Sequence, residues 1–274
     1  MATPRHSQQT IRYIQAHWPV YFIFYGLIIL SILLIGVSLA VGWYSLVPFS
    51  IIIMLVASYV LLSSVYVAHQ ALDGPGGTTA EALFAMSQAQ PTDRVVCIDL
   101  GLRSTAVTIA QHLTTGVVTV IDVYNPQSNN GAALRRSRDL AQKPLDDPRL
   151  NWIDGRIDLL PLPDRCINAV FMDHILSEFW LPEERDKLLG EVRRILEPEG
   201  RLLIAERVRA QSNTPLTGLI TYNLPTSEQW RVTLEKAGFI VQREEHLRGL
   251  VYCARADRPG LAAGRQLALK FEYV

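Results

Sequence analysis

No Asp, Glu, Lys or Arg occurs between Arg12 and Asp73. A helix crosses the hydrocarbon core of a bilayer with about 20 apolar residues, so this stretch of roughly sixty is long enough for two crossings. Pro19 to Gly42 and Leu46 to Ala68 are the candidate spans. Between them, Gly42-Trp43-Tyr44-Ser45-Leu46-Val47-Pro48 supplies turn residues and an interfacial aromatic pair. A hairpin this tight leaves both of its ends on one side of the membrane. A cleaved signal peptide fits poorly, because the apolar run is long and a second one follows at once. A helical pair buried in a soluble core is the other alternative. Arg5 and Arg12 precede the first span and the turn carries no charge. Positive residues favour the cytoplasmic side, so the tail and everything after Asp73 are expected there, as an integral membrane protein with a cytoplasmic domain. Gly26, Gly36 and Gly42, with neighbouring serines, offer a surface for close helix packing and hence for self-association.

The chain of 274 residues has zero formal net charge and no basic stripe interleaved with aromatics, so nucleic acid is not an expected partner. Cys97, Cys166 and Cys253 are far apart, form no Cys-x-x-Cys pair and sit in or beside apolar runs. With the histidines scattered, neither a metal site nor a disulfide framework is indicated.

The remainder divides into a tail (1–18), the hairpin (19–72), one domain (73–258) and a C-terminal tail (259–274). Asp73-Gly74-Pro75-Gly76-Gly77 links hairpin to domain, and Thr78-x-x-Glu81 has the form of a capping box opening a helix. Val95-Val96-Cys97-Ile98 then reads as a buried strand closed by Asp99-Leu100-Gly101. Ser104 is placed to cap a helix from Thr105 to Leu113, and Val117 to Ile121 forms a second strand ending at Asp122. An acid about twenty residues beyond a strand-end glycine is where parallel α/β sheets hold a ribose diol, since one carboxylate accepts both hydrogen bonds. The loop Gly101-Leu102-Arg103-Ser104-Thr105 has a single glycine where such loops usually have two or three.

Further along, Gly131 to Ala141 is a basic helix carrying Arg135, Arg136 and Arg138, by default a solvated face, or one that touches anionic headgroups. Strands are expected at Leu150 to Ile153, Ile167 to Met172 and Arg201 to Glu206. Helices are expected at Pro182 to Leu196 and Thr226 to Ala237, and a hairpin of strands turns at Arg248-Gly249. Strands alternating with helices imply an α/β, Rossmann-like domain whose mostly parallel sheet has an antiparallel edge.

These phrases, in this order from about Thr78 to Arg255, resemble the class I S-adenosylmethionine-dependent methyltransferases. The likeness is greatest to the small-molecule branch that includes ubiquinone and menaquinone biosynthesis methyltransferases. It is carried by Leu160-Pro161-Leu162-Pro163-Asp164 running into Ile167-Asn168-Ala169-Val170, by Glu191 to Ile204 with its Pro198-Glu199-Gly200, and by Trp230, Leu234 and Ala237-Gly238-Phe239. The resemblance implies a seven-stranded sheet and S-adenosyl-L-methionine as cofactor. It places Asp99 and Gly101 against the methionine and ribose portion and Asp122 on the ribose diol. Ile157 and Asp158 fall along the adenine edge, and Asp173 and His174 near the transferred methyl group. Arg103 departs from the family's glycines, and either turns outward or pairs with the methionine carboxylate. Gly155-Arg156 replaces a Gly-Asp pair, and Asn168 an aspartate.

The implied activity is methyl transfer to a small apolar or lipid-like acceptor, with His174 as base and Asp173 or Glu178 assisting. Pro215 to Tyr222 is the segment expected to cover the acceptor. The altered loop equally suits a degenerate fold serving as a membrane-tethered binding module. A dehydrogenase is disfavoured, because no Gly-x-Gly-x-x-Gly follows the first strand.

Overall fold

The computed structural model describes residues 8–72, 77–141, 147–209 and 223–260. Arg5, the link at 73–76, the expected cover from Pro215 to Tyr222 and the tail beyond 260 lie outside these residues. Strands β1 (Arg94–Asp99), β2 (Val117–Asp122), β3 (Leu150–Asp154), β4 (Ile167–Asp173), β5 (Leu196–Arg207), β6 (Ile240–Leu247) and β7 (Val251–Asp257) form one sheet in the order β3-β2-β1-β4-β5-β7-β6. The first five are parallel, and β7 runs antiparallel to both β5 and β6. This is the Rossmann-like methyltransferase fold, as the alternation of elements predicts.

Burial follows position in the sheet. The central strands β1 and β4 are apolar and buried on both faces, as parallel strands covered by helices must be. The edge strand β6 exposes Arg243, Glu244 and Glu245, charges that discourage further strand pairing. Helices α4 (Thr79–Ser87) and α5 (Ser104–His112) cover one face with Leu83, Met86 and Ile109. On the other face α6 (Ala132–Leu140), α7 (Pro182–Ile195) and α8 (Ser227–Lys236) pack Leu134, Leu188, Val192, Trp230 and Leu234. Each such side chain contributes about 1.5–3 kcal/mol by leaving water. The capping box at Thr78 and Glu81 forms with both of its hydrogen bonds. Arg194 on α7 ties down the Leu160–Asp164 loop by bonding Glu191, Asp164 and the carbonyls of Leu160 and Leu162.

Two local expectations need correction. Strand β5 begins at Leu196, not Arg201, and runs through Pro198-Glu199-Gly200. Its pairing with β4 slips at Asn168, so the proline's missing N–H falls in an irregularity of the ladder. Asn168 fills the gap, accepting from Arg94 N (3.1 Å) and donating to Glu197 (3.0 Å). Ser104 does not cap α5. The N-cap is Arg103, in the left-handed region at φ 67°, and Ser104 is already helical.

Ahead of the sheet stand α1 (Gln8–Ala16), α2 (Trp18–Val41) and α3 (Val47–Leu72), so the expected tail is partly a helix. The apolar windows of the two long helices have mean hydropathies of 2.6 and 2.4, yet only 11 % of each is buried. Phe22, Leu30, Leu33, Phe49, Leu55 and Leu62 all face outward, so the pair presents a large apolar surface instead of burying it against the domain. Two arginines of the domain hold these helices at their C-terminal carbonyls. Arg136 on α6 donates to Ala16 O, and Arg248 in the β6–β7 turn donates to Gln70 O and to Gly77 O (2.8 Å).

Candidate functional site

Four parallel strands end in an aspartate: Asp99, Asp122, Asp154 and Asp173 close β1 to β4. Glu206 stands one residue before the end of β5. Asp99, Asp122 and Asp154 are direct neighbours in register. Strand order reverses between β1 and β4, which opens a crevice at the carboxyl ends of the strands, the usual ligand position in an open α/β sheet.

Asp99 lies beneath the loop. Its carboxylate accepts from Leu102 N (3.2 Å) and Arg103 N (2.8 Å), which fixes the turn that launches α5. These bonds hold the loop that precedes the helix and do not cap its first turn, where no side chain accepts. Burial raises the Asp99 pKa, while the amide bonds oppose the rise. Gly101 sits at φ 82°, where a side chain is strained and where an added Cβ would collide with the Arg138 guanidinium. Arg103 turns toward β3, its guanidinium 5.9 Å from the centre of the Trp152 ring.

Asp122 is engaged by Arg138. Nη1 of Arg138 lies 3.0 and 2.9 Å from the two carboxylate oxygens and also donates to Leu100 O. Its guanidinium carbon stands 3.9 Å from the centre of the Tyr124 ring. The basic helix is therefore not simply a solvated face: Arg138 and Arg136 both reach protein partners, and Arg135 donates to Asn130 O (3.0 Å). After β3, Ile157 packs against the core, whereas Asp158 is held on the surface by Arg156 at 2.7 Å.

Across the crevice, Asp173 Oδ2 accepts from Thr105 on α5 (2.7 Å), a bond that bridges β4 to the first turn of that helix. His174 follows at φ 57°, a conformation costly for such a side chain and found mostly at functional sites. Its Nε2 is 3.7 Å from Asp173 Oδ1, too long for a hydrogen bond, and Nδ1 is buried without a partner among the described residues. Burial, reinforced by Arg207, lowers the His174 pKa to about 4 against the pull of Asp173. Glu178 ends a short 3-10 turn (Leu176–Glu178), and burial raises its pKa while Arg207 opposes. The turn is held from below by Glu206, which is fully buried and accepts from Leu176 N (2.7 Å) and Ser177 N (3.2 Å). Desolvation pushes Glu206 up to about 7.

The structure thus brings Asp99, Gly101, Asp122, Asp173 and His174 to one crevice and leaves Asp158 on the surface. Sequence reasoning missed Thr105, Glu206, Arg207 and the engagement of Arg138. A recurring phrase signals Glu206: each parallel strand is an apolar run followed by an acid, and Leu202-Leu203-Ile204-Ala205-Glu206 repeats it.

Residues 98–204 match the family described as "Methyltransferase domain". A comparison with curated protein sequences returns no match. Among solved structures, a SAM-dependent methyltransferase from Aquifex aeolicus superposes with a TM-score of 0.53 at 18% identity, covering 73% of this chain and 97% of that one. The (4+2)-cyclase SpnF superposes with a TM-score of 0.50 at 18% identity, covering 66% and 80%. Likeness at this identity establishes the fold. That a cyclase shares it shows that the reaction has to be argued from the site.

Proposed function

We propose that this chain is an S-adenosylmethionine-dependent methyltransferase, held at the membrane by α2 and α3, that acts on a small apolar or lipid-like acceptor. The observation that carries the reading is the pairing of Arg138 with Asp122 and Leu100 O over Gly101. A cation with N–H donors lies against a strand-end carboxylate and a glycine loop, where a ribose diol and a sulfonium would supply O–H donors and positive charge. The residues present therefore fit the cofactor, provided Arg138 withdraws.

S-adenosylmethionine, when bound, supplies an electrophilic methyl group with its leaving group built in, so the protein contributes mainly alignment and a dry site. Asp122 would accept the ribose hydroxyls in place of Arg138. Asp99 acts beneath the loop, holding the Leu102 and Arg103 amides and with them the position of Gly101. Thr105 and Asp173 keep α5 and β4 in register across the crevice. His174 is neutral at physiological pH and serves as the base for an acceptor proton, with the carboxylates of Asp173 and Glu178 balancing the charge it gains. With Arg12 before the hairpin and no charge in its turn, the domain faces the cytoplasm.

The test is calorimetric titration of the full chain in phosphatidylcholine nanodiscs with S-adenosylmethionine and S-adenosylhomocysteine. It is followed by transfer of label from methyl-tritiated donor into an organic extract of membrane lipid. Saturable binding with label in the organic phase is expected; label only in water-soluble material would remove the lipid-like acceptor. Arg138 also favours a second reading, a binding module that has filled its own pocket. Absence of binding in both the parent chain and Arg138→Ala would select it.

A further inference from the structure

A second cavity, of about 400 Å³, lies where the helical hairpin meets the domain. One wall is the domain end of the hairpin: Val20, Tyr21 and Phe24 of α2, and Val60, Leu61 and Ser64 of α3. The other wall is the 3-10 turn and the end of β5, with Glu178, Trp180 and Arg207, and with Arg185 from α7. Tyr13 and His17 close it from α1. Phe24 is about 9 Å along α2 from Trp18 at 1.5 Å per residue, so the apolar wall reaches into the outer part of a bilayer whose core is ~30 Å thick. Tyr21 and Ser64 join the two helices by a hydrogen bond of 2.9 Å at this level. Trp180 is 74 % exposed beside the opening, as aromatic residues are at a headgroup layer.

The polar end of the cavity has an excess of positive charge. Arg207 is half-buried and makes no ion pair with a described residue, although almost every other arginine around the crevice has an acid or a carbonyl. It lines the cavity together with Tyr13, His17 and Glu178. Arg185 donates its Nε to Phe179 O (2.8 Å) and lies over Trp230, again without an ion pair among the described residues. Glu178 is the lone carboxylate among the described lining residues, where two guanidinium groups face it. A partly buried guanidinium without a counter-charge is costly unless an anion completes it.

We propose that this cavity takes the anionic head of a bilayer-resident amphiphile, bound by Arg207 with Arg185 beside it, while its chain lies against Val20, Phe24, Val60 and Leu61. The inference rests on the membrane reading of the hairpin and deepens the proposed function: it names the class of molecule that presents itself beside Glu178. The shared chemistry is a phosphate or carboxylate oxygen, and the source is a lipid drawn sideways from the membrane.

The probe is phosphatidic acid brominated in its acyl chains, added to the full-length chain in phosphatidylcholine nanodiscs and read by quenching of Trp180 and Trp18. Saturable quenching is expected, about tenfold weaker in Arg207→Gln. Brominated diacylglycerol, which has the same chains without the anion, should quench only in proportion to its mole fraction. Millimolar inorganic phosphate should not displace the lipid. Val60→Phe, which obstructs the chain path without adding a fluorescent indole and leaves the arginines alone, should weaken the lipid by a similar factor. Equal quenching by the acid and the neutral lipid, or an unchanged response in both variants, overturns the proposal. Full displacement by inorganic phosphate overturns the lipid source. Titration of the same nanodiscs with S-adenosylmethionine separates the two readings. Intact cofactor binding without lipid discrimination sinks this inference alone, and lipid discrimination without cofactor binding sinks the methyltransferase reading alone. A chain that fails to float with vesicles sinks the hairpin on which both depend.

Discussion

The two halves of the crevice treat charge in opposite ways. Over β1 and β2 the protein completes its own interactions: Asp122 has Arg138, Arg138 has Leu100 O and Tyr124, and Asp99 has two amides. Over β4 and β5 the compensation is incomplete. Among the described residues Arg207 has no ion pair and His174 Nδ1 has no hydrogen bond, while burial pushes Glu178, and Glu206 despite its two amide bonds, toward their neutral forms. A folding chain can tolerate an unsatisfied half only if the cost is small or if a ligand removes it. The first half therefore reads as a lock occupied by a substitute, and the second as a place whose occupant is missing.

The largest test of this contrast is the pH response of Glu206. Its pKa is raised in the folded state, so its contribution to stability is fully present below the unfolded value near 4.5 and is lost as pH rises through about 7. Replacement by Gln, which cannot ionise and offers one acceptor oxygen to two amides, should cost a pH-independent amount for the lost hydrogen bond. On top of that offset the difference should move in favour of the variant by roughly 3 kcal/mol between about pH 4 and pH 8, on the rule that one pKa unit is 1.36 kcal/mol. His174 works the other way: its pKa is lowered, so its contribution is present above about 6.5 and is lost as pH falls through about 4. Thermal unfolding of the two chains across this range isolates Glu206. A constant difference between them at all pH values would show that Glu206 is not a stored charge.

Next in size is Asp122→Ala, expected to weaken S-adenosylmethionine about a hundredfold by calorimetry, because it removes two charge-assisted hydrogen bonds. Unchanged affinity would take Asp122 out of the site. Arg138→Ala should act in the opposite direction, tightening the cofactor about tenfold, since no substitute then has to leave. Weaker binding in that variant would make Arg138 a ligand contact, and the contrast between the halves would disappear. The smallest effect belongs to Arg103→Gly. Glycine relieves a left-handed backbone but loosens the unfolded chain, so stability should change by no more than about 1 kcal/mol. A larger loss would assign the arginine a role beyond its contact with Trp152.

What could be seen in the sequence divides along similar lines. Strand periodicity, the capping box at Thr78, the acids closing Asp99 and Asp122 and the apolar hairpin are local patterns, and each recurs in the structure at nearly the expected residues. The misses are pairings between distant segments. Nothing near Arg138 shows that it turns back onto a strand sixteen residues earlier, because a helix of three arginines looks the same whether it faces water or a carboxylate. Nothing near His17 shows that it lines one cavity with Arg207, since that depends on how the N-terminal helices dock. Glu206 was passed over as an ordinary strand-end acid, although its service to the Leu176 and Ser177 amides is what positions Glu178. Even a strong local pattern misled at Ser104, where Asp99 from the preceding strand fixes the loop by its Leu102 and Arg103 amides and the helix starts one residue early.

The two arginines that fix the domain to the N-terminal helices, Arg136 at Ala16 of α1 and Arg248 at Gln70 of α3, have a consequence beyond attachment. A body tethered at one point can swivel and sample a hemisphere; mounted at two separated points, it keeps a single axis of rotation. With α2 and α3 in a bilayer, as we propose, two attachment points would hold the crevice at a fixed height and bearing above the lipid surface. Molecules would then be selected by the depth at which they carry their reactive atom before they are selected by shape.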